Sequence, residues 1–181
     1  MKHTTTKTLL ILTAMVGAAS LQADDAVFQA SLTPDIAIYP RGTDIHGLSL
    51  NIWGENPQQG LTLGLVNGST GESSGFTWGL VNYADSYRGV SWALVNVSRG
   101  DYIGWQSGWV NVSLGNFTGF QSGRIVNYAQ ECTGFQLGLV NYSQSLRGVQ
   151  VGLVNVAVNN PWFTEFPNKL ATGFPIVNWS F

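Results

Sequence analysis

The chain of 181 residues contains one cysteine, Cys132, and two histidines, of which only His46 lies beyond the first few residues. A single cysteine excludes an intrachain disulfide, so the fold must be stable through packing and hydrogen bonds. One histidine, one cysteine and scattered carboxylates do not form a local four-ligand metal site. No Gly-x-Ser-x-Gly motif is present to act with His46 in a hydrolase triad. We therefore expect no enzyme, no catalytic residue, no cofactor and no metal.

Charge is also scarce, since only 10% of residues are charged, against about 25% in an average globular protein. Eight basic and ten acidic residues give a net charge of -2, which argues against a nucleic-acid partner. Hydrophobic residues make up 44% of the chain and aromatic residues 12%, which excludes disorder. No apolar run reaches the roughly 20 residues of a transmembrane helix. With 22 glycines, the composition favours β structure.

The first residues are typical of a secretory signal peptide. Lys2 and Lys7 precede an apolar stretch at 9–19, and Leu21-Gln22-Ala23 resembles a cleavage site. We expect a signal peptide at 1–23 and a single β-repeat domain at 24–181. The protein is therefore expected to be exported.

A repeat of 14 or 15 residues dominates the domain, with regular repeats at 60–157 and a closing segment at 158–181. Each regular unit begins with a glycine and ends with an asparagine. The structural-repeat glycines are Gly60, Gly75, Gly89, Gly104, Gly119, Gly134 and Gly148. The structural-repeat asparagines are Asn67, Asn82, Asn96, Asn111, Asn127, Asn141 and Asn155. Alternating residues within each unit indicate strands, and degenerate flanking units bring the number of candidate strands to about ten.

The main prediction is an antiparallel outer-membrane-type β-barrel. Both faces of the predicted strands are uncharged, nearly all charges lie in or beside short connections, and those connections have the residues of hairpin turns. Strands of about twelve residues would cross an apolar band about 25 Å tall. Trp179 and the terminal Phe181 resemble the carboxy-terminal membrane-insertion signal of such barrels. The expected partners are outer-membrane lipid and the barrel-insertion machinery, with no identified small-molecule ligand.

The alternative is a parallel β-solenoid with coils of 14–15 residues, in which identical residues stack on one another. The recurrent asparagine supports it, because stacked amides form hydrogen-bonded ladders. The asparagine also falls on the same parity as Phe and Leu in the regular units, which a barrel explains poorly. Both architectures are all-β.

The motifs Gly-Phe-Gln-Leu-Gly-Leu-Val-Asn at 134–141 and Gly-Val-Gln-Val-Gly-Leu-Val-Asn at 148–155 resemble those of the uncharacterised surface-repeat proteins of diderm (Gram-negative-type) bacteria. The resemblance covers about 47–181, including the Pro-rich stretch at 160–163. It implies a location in the cell envelope or at the cell surface, and it implies no particular activity.

Three further features have simple explanations. Arg99-Gly100-Asp101 matches an integrin-binding tripeptide and is also ordinary turn chemistry. Arg124 lies in a unit with one extra residue, which we interpret as a β-bulge. Four tryptophans are predicted to be interface anchors rather than a ligand surface; they are Trp78, Trp92, Trp105 and Trp109.

The function expected from these features is that of a non-enzymatic outer-membrane or cell-surface β-repeat protein with a structural or interaction role. The alternative is a secreted or periplasmic β-solenoid that acts as a binding or adhesion module.

Overall fold

The computed structural model describes residues 24–181 and contains nine β-strands over that range. No helix among these residues is long and apolar enough to cross a membrane. The strands are β1 (Asp25–Thr33), β2 (Ile36–Ala37), β3 (Asp44–Asn56), β4 (Gln59–Trp78), β5 (Val81–Trp92), β6 (Val95–Ser98), β7 (Tyr102–Leu137), β8 (Val140–Ala157) and β9 (Gly173–Ser180). The predicted signal peptide at 1–23 lies outside the described residues.

The architecture is a parallel β-solenoid of about 7 coils, so the predicted antiparallel barrel is wrong and the alternative is confirmed. Successive strands from β3 to β8 pair in parallel, and each repeat lies on the equivalent residues of the next, as in the register of Gly75 with Gly89. The short polar connections are corners inside one continuous coil, not hairpin turns that reverse the chain. Antiparallel pairing occurs among the described strands only where β2 meets β1 and where β9 meets β8.

A bend before the asparagine explains why the asparagine has the same parity as Phe and Leu in its unit, and the strands are interrupted by this bend at 79–80, 93–94 and 138–139. The extended chain is interrupted at Gly79 and Leu80 before it resumes at Val81. Thr77 is buried before this bend and Asn82 is buried after it, although they are five positions apart and an unbroken strand would place them on opposite faces. The bend therefore turns both side chains into the coil.

The interior is built largely from side-chain amides. The asparagine Nδ2 of one coil donates to the asparagine Oδ1 of the next, and the ladder continues without a break through eight residues. The successive distances are 3.1, 2.9, 3.3, 2.9, 2.9, 2.8 and 2.8 Å, through Asn51, Asn67, Asn82, Asn96, Asn111, Asn127, Asn141 and Asn155. Burial of an amide without hydrogen-bond partners costs free energy. The ladder offsets this cost because it gives the buried asparagine of each coil a partner in the adjacent coil.

A second ladder runs in the opposite direction. Gln121 donates back to Gln106 at 2.9 Å, Gln136 back to Gln121 at 2.7 Å, and Gln150 back to Gln136 at 2.8 Å. The donor direction is toward the amino terminus here and toward the carboxyl terminus in the asparagine ladder, so the two rows of amide dipoles oppose each other. The buried acceptor Oε1 of Gln150, at the end of the glutamine ladder, receives no hydrogen bond from the described residues.

The large side chains of the main buried apolar cluster form one narrow column, and alanines complete the cluster. Tyr87, Tyr102 and Phe117 stack with ring centroids 5.7 and 5.6 Å apart. Cys132 and Leu146 continue the column, and both are almost completely buried. The cross-section of a 14–15-residue coil leaves room for little more than one large side chain at this position.

Both ends of the solenoid are capped. At the amino-terminal end, Gln29 exchanges hydrogen bonds with the backbone of Tyr39, which folds the loop before β3 over the first coil. At the other end, β9 pairs antiparallel with β8, and Phe181 donates a backbone hydrogen bond to Asn168. Such caps prevent the exposed strand edges from templating further chains.

Removal of one whole coil tests this architecture. Deletion of 104–118 joins Ile103 to Gly119 and leaves the next asparagine and glutamine in ladder register. We expect a folded solenoid that is shorter by about 4.8 Å, measured by small-angle scattering and circular dichroism. Deletion of 104–110, half a coil, removes the register and is expected to abolish the strand signal. An equal loss of the strand signal in both deletion variants would contradict the stacked-coil arrangement.

Candidate apolar binding surface

The bend in each coil places a hydrophobic side chain at an outer corner, and these corners form a line along the solenoid axis. We call this line the apolar ridge. Its side chains are between 46% and 68% exposed, and they are Leu65, Leu80, Leu94, Trp109, Leu139 and Leu153. Backbone hydrogen bonds from Leu94 to Leu80 and from Trp109 to Leu94 hold adjacent corners in register. The ridge is therefore a convex edge whose adjacent corners are hydrogen-bonded to one another.

The first face leads up to the ridge from the unit glycines and is also hydrophobic. One column along it contains Leu61, Phe76, Val90, Trp105, Phe120, Phe135 and Val149. The column beside it contains Leu63, Trp78, Trp92, Ser107, Ser122, Leu137 and Val151. Along the first column, Trp105, Phe120 and Phe135 form a run of contacting rings with successive centroids 6.1 and 5.5 Å apart.

The second face leads away from the ridge and has the same character. Its outer columns contain valine and tyrosine, with Tyr128 stacked on Tyr142 at 5.3 Å. Nearest the ridge lie Val66, Val81, Val95, Val110, Val126, Val140 and Val154. The ridge thus separates two apolar faces, whereas the interior of the coil is rich in polar groups.

The charges lie elsewhere, and most of them are within strands rather than in the short connections where the sequence analysis places them. Half a coil away from the ridge is a polar edge that contains seven of the eight charged residues of the regular repeats. These are Glu72, Asp85, Arg88, Arg99, Asp101, Glu131 and Arg147. The tripeptide Arg99-Gly100-Asp101 is on this edge, where Arg99 pairs with Asp85 at 3.5 Å and Asp101 accepts from Asn116 at 2.9 Å.

Arg124 is the eighth charge and lies at the ridge. The extra residue of its unit makes the corner longer, and both Arg124 and Ile125 are exposed there. Within residues 24–181 its guanidinium forms no ion pair and no side-chain hydrogen bond. It borders an open groove of about 520 Å³ that is otherwise lined mainly by apolar side chains and glycines, among them Leu137, Leu139 and Leu153. An unpaired cation beside an apolar groove is an arrangement that suits an amphipathic ligand.

The residues predicted from the sequence fall into four groups. The repeat asparagines are buried inside the coil. The repeat glycines lie directly against the backbone of the preceding coil. Trp78, Trp92, Trp105 and Trp109 all lie on the exposed first face or the ridge. Trp179 and Phe181 belong to the carboxy-terminal cap, where the Trp179 indole donates to the carbonyl of Pro167 at 2.8 Å. Their role as an insertion signal stays a prediction.

One cluster was not foreseen. Asp25, Asp44 and His46 place their ligand atoms within 4.8 Å of one another, because Asp25 and Asp44 are register partners on β1 and β3. His46 Nε2 is 3.1 Å from Asp25 Oδ1. The carboxylates are 19 residues apart in sequence, so no local motif marks them. Asp25 and His46 are exposed, and three groups are fewer than the four ligands of a typical zinc site.

The buried column contains the groups with the most altered acidity. Burial raises the pKa of the Cys132 thiol to about 12, and burial also raises the pKa values of Tyr87 and Tyr102 well above the usual range. All three groups are therefore neutral inside the coil at physiological pH. A neutral, buried thiol is a poor nucleophile.

These pKa shifts predict alkaline sensitivity. As the pH rises above about 9, the unfolded chain loses these protons before the folded chain does. The stability that the neutral groups contribute is therefore fully present below about pH 9 and is lost progressively as the pH rises toward about 12. We expect the free energy of unfolding to fall by about 3 kcal/mol between pH 8 and 10.5, measured by urea titration. Cys132→Ser should weaken the dependence between pH 9 and 10, and an unchanged dependence would contradict the role of the thiol.

Comparison of the chain with protein-family models, with curated proteins and with solved structures finds no match. The apolar ridge, its two faces and Arg124 are therefore interpreted from geometry and chemistry alone.

Proposed function

We propose that the protein is an exported, non-enzymatic β-solenoid that acts as a binding module through the apolar ridge and its two flanking faces. The observation that supports the proposal most strongly is that polar side chains fill the interior and apolar side chains cover the outer faces, the reverse of the usual arrangement in a soluble protein. Amides are buried within the coil, whereas leucine, valine and aromatic rings cover two outer faces. Exposed apolar patches larger than a few hundred Å² mark interaction sites on soluble proteins.

The separation of charge from the ridge supports the same function. If the apolar side chains were scattered by chance, charged residues would occur among them, yet seven of eight charges of the regular repeats are on the polar edge. The signal-like segment at 1–23 and the resemblance to surface-repeat proteins favour the periplasm, the cell surface or the extracellular space as the location. Membership of the surface-repeat proteins is likewise proposed here from the repeat motifs.

Adsorption to an uncharged apolar matrix tests the binding surface independently of any natural partner. The wild-type protein should be retained on phenyl-agarose at low salt. A ridge variant with Leu80→Gln, Leu94→Gln and Leu139→Gln should elute early, because each of these side chains is almost half exposed and its substitution leaves the interior intact. Leu114→Gln, at a side chain 47% exposed on the polar edge, is the matched control for Leu94→Gln alone, at a side chain 46% exposed on the ridge, and of these two only Leu94→Gln should elute earlier than the wild type. Early elution of the wild-type protein would remove the basis of the proposal.

A further inference from the structure

The shape of the apolar surface restricts what can cover it. Each face is about 34 Å long, for seven coils about 4.8 Å apart, and about 15 Å wide, for five residues at about 3.3 Å. A second copy laid flat on one face would bury about 1,000 Å² in total, which is at the lower limit for a specific interface. It would also leave the ridge and the other face of both copies in water. A convex edge with apolar sides requires a partner that encloses it.

A lipid bilayer meets this requirement, because its acyl chains adapt to a convex apolar wedge. Interfacial amphipathic elements insert about 5–10 Å into the boundary between headgroups and acyl chains. Side chains of the ridge and of the adjoining columns would occupy this depth along the whole solenoid. The polar edge, half a coil away, would remain in water with its charges of both signs. The tryptophans of the first face suit the boundary itself, where indole rings are enriched.

Arg124 adds charge complementarity. A cation that is unpaired within the described residues would be unfavourable against hydrocarbon alone, but a long arginine side chain can extend its guanidinium back to the level of the headgroups. The phosphate of a phospholipid offers the bidentate acceptor that a guanidinium prefers. The apolar groove beside Arg124 would then accommodate an acyl chain of the same lipid.

Resting on the binding function proposed above, we infer that the protein lies on a phospholipid surface, with the solenoid axis parallel to the membrane, the ridge inserted and Arg124 bound to a headgroup phosphate. Attraction to anionic lipid contributes little to this mode, because residues 24–181 carry 10 acidic and 6 basic residues, a net charge of -4. Vesicles of neutral phosphatidylcholine are therefore sufficient for binding. Added phosphatidylglycerol leaves the affinity unchanged or lowers it.

Flotation of the mature chain with unilamellar phosphatidylcholine vesicles tests the inference. The wild-type protein and Leu114→Gln should float with the vesicles, and the triple ridge variant should bind at least tenfold more weakly. Arg124→Gln should weaken binding about fivefold through loss of one guanidinium–phosphate pair, whereas Arg147→Gln on the polar edge should not. Brominated acyl chains should quench tryptophan fluorescence of the wild-type protein, and Trp109→Leu should reduce this quenching. Circular dichroism establishes that each variant is folded.

The outcomes separate this inference from the binding function on which it rests. Retention on phenyl-agarose without flotation would overturn the lipid surface and keep the binding module. A concentration-dependent dimer that the ridge substitutions abolish, again without flotation, would identify a second copy as the occupant. Flotation that is equal for the wild-type protein and the ridge variant would also overturn the inserted ridge. Loss of both retention and flotation in the wild-type protein would reject both proposals.

Discussion

Replacement of Gly104 by alanine is expected to lower the free energy of unfolding by about 4 kcal/mol or more, which is exceptional for a single methyl group. Gly104 has a φ of 138°, a conformation that L residues rarely adopt. A Cβ at this position would lie 1.9 Å from the carbonyl oxygen of Gly89 in the adjacent coil. Because that oxygen belongs to the backbone of a paired strand, relief requires that the two coils separate.

Substitutions at two other glycines separate the cost of the unfavourable φ from the cost of the contact between coils. Gly71 has a φ of 59° and open space around its missing side chain, so Gly71→Ala should cost only the conformational strain of about 1–2 kcal/mol. Gly42 has neither a positive φ nor a neighbour within 4 Å of the added atom, and Gly42→Ala should be nearly neutral. Urea unfolding of the three variants provides the comparison. A similar loss in Gly71→Ala and Gly104→Ala would show that the contact between coils contributes nothing.

The β structure and the repeat follow from the sequence, but the direction of pairing does not. Alternation along a unit is the same in an antiparallel hairpin and in a parallel coil. The connections of two to four residues that indicate hairpin turns are also long enough for the corners of a coil. The sequence feature that distinguishes the two architectures is the position of Asn82 and its equivalents. In a flat strand Asn82 would point to the same side as the outward-facing Phe and Leu residues, and the bend at Gly79 turns it into the coil instead.

The candidate surface was partly predictable. The tryptophans were predicted to be membrane-interface anchors rather than a ligand surface; the structure shows that Trp78 and Trp109 are exposed on the apolar surface, and their role as anchors stays a prediction. Arg124 stood out because its unit is one residue longer. Neither the continuous ridge nor the groove beside Arg124 was predictable, because both depend on which residues of successive coils stack. The cluster around His46 needed the register of β1 with β3 for the same reason.

Substitution of one asparagine of the ladder tests whether the amides stabilise the interior. Asn111 is completely buried, accepts from Asn96 at 2.9 Å and donates to Asn127 at 2.9 Å. Asn111→Ala removes both bonds, leaves Asn127 Oδ1 without this donor and opens a small cavity. We expect a loss of about 3 kcal/mol in the free energy of unfolding, measured by urea titration. Asn168→Ala, at an exposed asparagine of the cap, should be nearly neutral.

A nearly isosteric change distinguishes lost hydrogen bonds from lost volume. Asn111→Asp fills the same space, but its carboxylate would be charged inside the coil and would face the acceptor oxygen of Asn127. Burial and this oxygen should raise the pKa of the introduced carboxyl above its usual range, so the variant should gain stability as the pH falls through that raised pKa. Protonation restores a donor toward Asn127. Asn111→Ala has no such group, and its difference from the wild type should be independent of pH from 4 to 8. If both variants showed the same pH dependence, the ladder would be a by-product of packing and not a stabilising network.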